Sequence, residues 1–421
     1  MAELKKEITL IGGIGQMSTT LLGTGLFMVP AIAASIAGEQ MLWAWWLLLL
    51  AICPIAITFA LLGKRYPNAG GASYFVRHAF GPRLEKAIAL LFISVIPVGV
   101  PAAIAIAGGF AQQFLPDFLA TPIVAQLLVV VLLMIVNFSG SKSSSRLQTF
   151  IALGILALVG SFFWMGDMNV QDTLPHSLPS EQSASIGQAI AVMFWCFVGI
   201  EAFAHMGEEF KNPERDYPIA IIIGCILAGA IYYLFSTVVL KHHAYGTQEL
   251  NTTSVPYLAD LLFGPKAKWI ISVTGFLACF ATINLYTQSL ARMLWSLARE
   301  YRPTSPAARV TVNGVPSVAT LIVGVILAVS CVFGQLSGID IEVFLTLANG
   351  IFVVIYLFAM WSAVRLLTGW RKHLAIVSLC LCLLVLVSIG IAMLYAVTML
   401  LLFWWLLPKP APLRSTSLRT K

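Results

Sequence analysis

Residues 21–30 read LLGTGLFMVP and lie within an otherwise apolar stretch, residues 8–37, that is long enough to span a membrane. Near its middle stand Gly23, Thr24 and Gly25. In hydrocarbon an unpaired backbone N–H or C=O costs several kcal/mol, so unwound backbone is tolerated only where it faces protein or a water-filled cavity. If the helix unwinds at these glycines, the sequence predicts a cavity beside the break.

Such a break would create a site for an anion. The half-helix that begins after the break points free N–H groups, at the positive end of its dipole, toward the cavity. A carboxylate is the natural ligand of these groups. Two glycines also permit irregular torsions and leave room for a ligand. The alternative is a close-packing surface between membrane helices, with Pro30 as a simple kink, and these residues alone leave it open.

The composition sets the class of protein. Of the 421 residues, 59% are hydrophobic and 10% are charged, and the mean hydropathy is +0.90. Soluble domains carry about 25% charged residues, so the chain is predicted to be an all-α polytopic membrane protein. About twelve spanning helices are expected, at residues 8–37, 41–63, 84–115, 121–138, 147–165, 186–207, 217–240, 268–298, 315–334, 341–366, 373–389 and 391–407. The last two divide one long apolar run, and whether both are full spans stays open.

The basic residues predict the orientation of the chain. With both termini in the cytoplasm, 22 of the 25 Lys and Arg fall in cytoplasmic loops and tails, and Arg292 is counted with these 22. The exceptions are Lys241, Lys266 and Lys268. This distribution follows the positive-inside rule. The net charge of +7 is therefore attributed to topology and to contact with the lipid bilayer, and no nucleic-acid partner is expected.

A second irregular segment, FWCFVGIEAFAHM at residues 194–206, places Gly199 and Glu201 in the centre of span six. A carboxylate at that depth costs about 2.5–3.5 kcal/mol on insertion scales, so it should face a cavity or a partner. His205 lies four residues further on, on the same helical face. A purely structural role for Glu201 is the alternative.

The two irregular spans are five apart, which is the pattern of an inverted-repeat transporter with its binding site at the midplane. We therefore predict a transporter core over residues 1–370, built from two five-helix repeats at about 8–165 and 186–366. Two additional helices follow at 371–407, and a cytoplasmic tail at 408–421.

Three longer stretches carry a family resemblance: GIGQMSTTLLGTGLFMVPA (13–31), GKRYPNAGGASYFVRHAFG (63–81) and MFWCFVGIEAFAHMGEEFKNPERDYPIA (193–220). The chain resembles the amino acid–polyamine–organocation transporter superfamily over essentially its whole length. The resemblance implies a LeuT-like fold with discontinuous helices one and six and alternating access about a central site. The loops at 67–71 and 211–216 are otherwise interpreted as cytoplasmic turns with helix caps, with a role in an inner gate as the alternative.

The resemblance also implies residue roles. Thr24 and Gly25 would bind the substrate carboxylate, and carbonyls of Leu21, Trp195 and Val198 would bind its ammonium group. Trp195 would close over the substrate as a gate. The full set of substrate-binding candidates is Leu21, Gly23, Thr24, Gly25, Trp195, Val198, Asn284 and Tyr286. The gating and proton-coupling candidates are Trp195, Glu201 and His205.

Function is predicted as follows. Apart from Glu201 and His205, no ionisable group is placed deep enough to pair with a charged substrate side chain, so the substrates should be neutral and apolar. The resemblance implies export of methionine, leucine, isoleucine and valine across the bacterial inner membrane, without a metal or another cofactor. The lysine that several relatives carry in span five is missing from SRLQTFIALGILALVGSFFW (145–164).

The mode of coupling and the direction of transport stay open at this point. Coupling by protons through Glu201, by another ion, or by exchange all fit the residues. Uptake or exchange by the same fold, or a sensor that does not transport, are the functional alternatives. An intramembrane enzyme would need a nucleophile–base or metal cluster, and Glu201 with His205 is too small a constellation to indicate one.

Overall fold

The structure is a computed structural model. It describes residues 4–175, 183–265, 267–337, 341–389 and 393–408. Lys266 and the predicted tail from residue 409 onward lie outside these residues, as does Gly390 at the proposed division between the last two spans. Within the described residues the chain is helical, and an isolated parallel bridge between Ile8 and Phe210 is the sole β-type pairing among them.

The described residues form 17 α-helices. The first eight are α1 (Leu10–Leu22), α2 (Gly25–Ala37), α3 (Met41–Arg65), α4 (Gly71–Phe80), α5 (Pro82–Ile93), α6 (Gly99–Ala111), α7 (Pro122–Phe138) and α8 (Ser141–Met165). The remaining nine are α9 (Ser183–Met193), α10 (Ile200–Phe203), α11 (Asp216–Lys241), α12 (Gln248–Phe263), α13 (Ala267–Tyr301), α14 (Ser317–Ser337), α15 (Ile341–Leu366), α16 (Trp370–Ile389) and α17 (Met393–Leu406).

Helices occupy all twelve predicted span positions. By length and composition, seven stretches of the described residues are helical and apolar enough to cross a membrane. The chain is therefore a multi-pass membrane protein, while the number of crossings and the inverted repeat stay predictions. Two helices, α4 and α12, form in segments that were predicted only as connections.

One predicted span differs from expectation. The stretch 84–115 was predicted as a single helix, but α5 ends at Ile93, α6 begins at Gly99, and the residues between them form turns. The cause is visible in the local sequence SVIPVGVP (94–101), because Pro97 has no N–H to donate and its ring clashes with the preceding helical turn. Span three is therefore a third interrupted helix.

Helix α1 lies at the centre of the bundle. It packs against α8, α11 and α13, and ten of its thirteen residues are buried. The outer helices expose large apolar side chains instead, for example Leu321 and Val325 on α14. This arrangement, with a packed interior and an apolar exterior, is the one that a bilayer requires.

The bundle has two ends, which we name from their contents. The N-terminal face carries the Ile8–Phe210 bridge and the loop between α3 and α4. The opposite face carries residues 166–175, where the Thr173 carbonyl accepts a 2.5 Å hydrogen bond from the Tyr233 hydroxyl of α11.

Candidate functional site

The first break separates α1 from α2 by two residues, Gly23 and Thr24. Thr24 caps α2 without a side-chain hydrogen bond to the free N–H groups of the first turn. The carbonyls at the end of α1 are partly paired. Thr282 of α13 donates to the carbonyl of Thr19 at 2.8 Å, with the carbonyl of Thr20 at 3.1 Å. The break is thus held open by a side chain from another helix.

A tyrosine holds the other side of the same break. The Tyr232 hydroxyl, from α11, donates to the Leu21 carbonyl at 2.8 Å. Any Cβ added at Gly25 would clash with this hydroxyl, and any Cβ at Gly23 would clash with the Thr282 hydroxyl. Both glycines are therefore required by close approach, as expected for a break that other helices pack against.

The second break lies in span six. Here α9 is followed by the 3₁₀ turn Phe194–Phe197, which we call the Trp195 turn, and α10 begins only at Ile200. Gly199 adopts φ 137°, a conformation that side-chain-bearing residues rarely adopt, and a Cβ there would lie 2.7 Å from Thr20. The two predicted interruptions are therefore both present, and they face each other.

The third break brings span three to the same place. Where the breaks in spans one, three and six meet, they enclose a cavity of about 50 Å³. Its lining residues are Thr20, Leu21, Thr24, Gly25, Val95, Gly99, Val100, Ala103, Trp195, Val198, Thr282, Ile283, Tyr286 and Phe352. None of these described residues carries a charge at neutral pH, so the cavity offers backbone dipoles and hydroxyls at one side and apolar side chains elsewhere.

Most of the predicted substrate-binding residues line this cavity. These are Leu21, Thr24, Gly25, Trp195, Val198 and Tyr286. Gly23 does not line it, because its backbone packs against Thr282. Sequence reasoning missed the contributions of span three, of Thr282 and of Phe352. The signal for span three was the pair of prolines around Gly99, but no single residue of α15 indicates that it would reach the cavity.

Asn284 lies away from the cavity, although the family resemblance placed it among the binding residues. It is fully buried in a cluster of uncharged polar side chains between α7, α8 and α13. Its amide donates to Ser144 at 2.7 Å and accepts from Asn137 at 2.8 Å. The contacts in the structure are those of a residue that joins helices.

Glu201 does not line the cavity itself but contacts Tyr286, which does. It is fully buried, accepts a 2.8 Å hydrogen bond from the Tyr286 hydroxyl, and accepts another of 2.9 Å from the Gly199 N–H. Since Tyr286 lines the cavity, a single hydrogen bond connects this carboxylate to the space where a ligand would lie. A change in the charge of Glu201 would therefore be felt at the cavity wall.

His205 does not line the cavity. The α-helical turn that carries Glu201 ends at Phe203, and His205 belongs to the 3₁₀ segment Ala204–Glu209 that follows it. Its Nδ1 lies 2.8 Å from the Ala69 carbonyl, and its ring stacks on Phe92. The histidine thus fastens the loop between α3 and α4 onto span six.

A buried ion pair closes the N-terminal face below this histidine. Glu209 and Arg292 are both almost fully buried, and the guanidinium binds both carboxylate oxygens. Arg292, which the predicted topology counts on the cytoplasmic side, is buried on α13 and does not lie in a loop. The pairing was missed because the two residues are far apart in sequence and only packing brings them together.

Main-chain pairing seals the same face. The Ile8 N–H donates to the Glu209 carbonyl, and the Lys211 N–H donates to the Ile8 carbonyl, both at 2.9 Å. The loop at 67–71 is a turn, as expected, since the Asn68 side chain accepts from the Gly70 N–H at 2.8 Å. Its amide also donates to Glu208 at 3.1 Å, so the turn is joined to span six.

Comparison with known proteins places this architecture in context. The family model described as amino acid permease matches residues 9–410. The L-methionine/branched-chain amino acid exporter YjeH of Escherichia coli (strain K12) is 45% identical, with 97% of this chain and 98% of that protein covered. The serine/threonine exchanger SteT of Bacillus subtilis (strain 168) is 26% identical, with 70% of this chain and 68% of that protein covered.

A solved structure supports the fold. The crystal structure of MhsT in complex with L-phenylalanine superposes with a TM-score of 0.64 and covers 93% of this chain and 100% of that one. The identity is 15%, so the likeness speaks for the fold alone. It agrees with the LeuT-like architecture predicted from the interrupted helices.

Proposed function

Because the chain belongs to the amino acid permease family, we propose that it is a secondary transporter that exports neutral, apolar amino acids, among them methionine, leucine, isoleucine and valine, by alternating access. The observation that carries the proposal is the uncharged cavity where three interrupted helices meet. The similarity to an exporter of these amino acids supports the substrates and the direction.

The cavity offers complementary ends for an amino acid. The first turn of α2 provides N–H groups, and Thr24 provides a hydroxyl that caps nothing; together these suit the carboxylate. The Leu21 carbonyl has one lone pair left after its bond from Tyr232, and Trp195 and Val198 line the cavity across the break, so their carbonyls are the further candidate acceptors. These acceptors suit an ammonium group, while Val100, Ala103 and Phe352 suit an apolar side chain.

The size of the cavity supports alternating access. Its volume of about 50 Å³ is well below the roughly 300–1,000 Å³ of typical small-molecule sites, so an amino acid enters only if the helices around it separate. The N-terminal face is closed by the Glu209–Arg292 pair and by the Ile8 bridge. Opening of that face would expose the cavity to the side from which an exporter loads.

Proton linkage is proposed through Glu201. It is a titratable group joined to the cavity by the Tyr286 hydroxyl. Since span five has no lysine, Glu201 is the titratable side chain best placed to sense both substrate and pH among the described residues.

The experiment is counterflow of labelled methionine in proteoliposomes that contain the purified protein. Internal unlabelled methionine should drive transient accumulation of the label, and leucine should compete, whereas lysine and glutamate should not. A sensor would bind methionine without counterflow. An obligate exchanger, the alternative suggested by the similarity to SteT, would show counterflow but no net efflux into amino-acid-free buffer.

A further inference from the structure

A second, larger cavity lies outside the substrate site, between α3 and α11. Its volume is about 410 Å³, and its lining is almost entirely apolar. On α3 it is bordered by Trp46 and Cys53, and on α11 by Ile226 and Ala230. These four side chains are also exposed on the outside of the bundle, so the cavity is a furrow that opens sideways toward the bilayer.

The furrow has the length of one bilayer leaflet. Along α3 it runs from Trp46 to Ile57, and along α11 from Ile222 to Leu234. At 1.5 Å per residue these stretches measure about 16–18 Å. Half of a hydrocarbon core of about 30 Å is about 15 Å, so the furrow is about as long as the hydrocarbon layer of one leaflet is thick.

Its outer end has the character of a membrane interface. Trp46 donates through its indole N–H to the Tyr233 hydroxyl at 3.3 Å, and this hydroxyl donates in turn to the loop carbonyl of Thr173 on the opposite face. Paired Trp and Tyr side chains are typical of the headgroup level. A phospholipid whose headgroup lies at this level would direct its acyl chain down the furrow.

The inner end of the furrow reaches the substrate site from behind. Phe197 lines the furrow, while Trp195, two residues earlier in the same 3₁₀ turn, lines the central cavity. The Phe197 carbonyl accepts a 2.9 Å hydrogen bond from Tyr356, which fixes the turn from a third direction. Phe197 is fully buried, so it joins the wall of the furrow to the Trp195 turn, and an occupant that packs against this wall supports the turn.

We propose that the furrow between α3 and α11 binds one acyl chain of a bilayer phospholipid, and that the bound chain holds the Trp195 turn in the conformation that closes over substrate. The volume, the match in length to a single leaflet and the aromatic rim identify a lipid tail as the occupant. The second half of the proposal rests on the proposed function.

The site itself is tested without transport. The full chain is reconstituted in nanodiscs with a phospholipid that carries a photoreactive group midway along one acyl chain, and the cross-linked residues are mapped by mass spectrometry. We expect cross-links to concentrate on residues 46–57 and 222–234. Ala230→Phe places a phenyl ring in the furrow from α11 and should reduce these cross-links severalfold. Cys53→Phe places a ring in the furrow from α3 and should have the same effect. The matched control is Ala157→Phe on α8, a lipid-exposed alanine outside the furrow.

Cross-links that are spread evenly over all lipid-facing helices, or that are unchanged in both Ala230→Phe and Cys53→Phe, would overturn the site.

The link to substrate is measured separately, as methionine affinity in detergent with and without added phospholipid. The parent and Ala157→Phe should bind more tightly with lipid, by about fivefold or more, the lower end of usual coupling between sites; Ala230→Phe should not respond. Equal affinity with and without lipid in the parent would overturn the coupling. Absence of any methionine binding would contradict the proposed function, while the cross-links still decide the lipid site.

Discussion

At the scale of single residues, Glu201 has the clearest chemical role to test. Its two oxygens accept from the Tyr286 hydroxyl and the Gly199 N–H. In Glu201→Gln the amide oxygen can keep the bond from Gly199, and the amide N–H can donate to Tyr286, whose hydroxyl also accepts. The variant should therefore fold and insert normally while the pH dependence of methionine transport flattens. Initial rates in proteoliposomes, from acid to neutral pH, measure this.

The control for this variant is Tyr286→Phe, which removes the hydrogen bond from the Tyr286 hydroxyl but keeps the carboxylate. It should retain the shape of the parent's pH profile even if its rate falls. A Glu201→Gln profile that superimposes on the parent's would assign the carboxylate a structural role only.

Gly25 gives a second residue-scale prediction, and the structure changes how it must be tested. A Cβ at this position clashes with the Tyr232 hydroxyl, so Gly25→Val could fail for a steric reason that has no connection with the substrate. The informative comparison is Gly25→Ala against Gly25→Ala with Tyr232→Phe, in which the clashing hydroxyl is removed. If Gly25 contacts the carboxylate, transport should stay lost in both. A double-mutant cycle of transport rates measures the coupling between the two positions.

Full recovery of transport in the double variant would mean that Gly25 serves close packing alone. A ligand test complements the cycle: methionine amide, which lacks the carboxylate, should compete poorly with methionine. Equal competition would contradict a carboxylate site at the break.

At the scale of elements, the sequence predicted some interruptions and missed another for understandable reasons. GTG in span one and the Gly199 region in span six were predicted because glycine and a buried carboxylate are both unusual at that depth. The prolines of span three were overlooked, since proline in a membrane helix often produces only a kink. The partners of Asn284 and Arg292 lie on distant segments, and local sequence carries no signal for such contacts.

The Trp195 turn is the element that we expect to act as the gate. Trp195 is partly buried and lines the cavity, and its carbonyl accepts from the Val198 N–H at 3.1 Å, so the side chain can be removed without breaking the turn. Trp195→Ala should raise the Kd for methionine by about tenfold or more. A tenfold change in Kd corresponds to about 1.4 kcal/mol of binding free energy. Lost aromatic contact area is the cause. Binding to the purified protein measures the effect.

Substrate size provides the control for that variant. Alanine, which has little side chain to contact an indole, should lose much less affinity than methionine does. Unchanged methionine affinity would show that the indole packs against protein without covering the substrate.

The ion pair between span six and α13 is predicted to hold the N-terminal face closed. Arg292→Leu would remove the guanidinium from the buried Glu209 carboxylate, and breaking a buried ion pair costs about 3–5 kcal/mol in comparable cases. The melting temperature in detergent should fall markedly. Glu209→Leu combined with Arg292→Leu removes both charges and should recover much of this loss.

A neighbouring pair supplies the comparison. Glu208 and Arg299 lie 3.2 Å apart but remain about a quarter exposed, and such pairs contribute about 0–1 kcal/mol. Arg299→Leu should therefore change the melting temperature little. Equal losses for Arg292→Leu and Arg299→Leu would contradict a special role for the buried pair.

At the scale of the whole molecule, composition was sufficient for the class, whereas the fold was predicted from the interrupted spans and the family resemblance. A chain with 10% charged residues cannot cover itself with a water-facing surface, and the positions of its apolar runs coincide with the helices that the structure describes. The cavity could not be predicted in the same way. Its walls come from five separate parts of the chain, and only tertiary packing decides which of their faces meet.

Orientation in the membrane is the last prediction. The predicted topology puts 22 of the 25 Lys and Arg on the side of the N-terminal face, and Lys241 lies at the opposite face, so we predict from the positive-inside rule that both termini are cytoplasmic. Gln171 and Thr304 are exposed on the opposite face and the N-terminal face respectively. In intact cells a membrane-impermeant maleimide should label Gln171→Cys, and it should label Thr304→Cys only after permeabilisation. The parent, with its seven native cysteines, gives the background. Labelling in the reverse order would mean that the N-terminal face is periplasmic. The Glu209–Arg292 ion pair would then close the periplasmic side of the transporter.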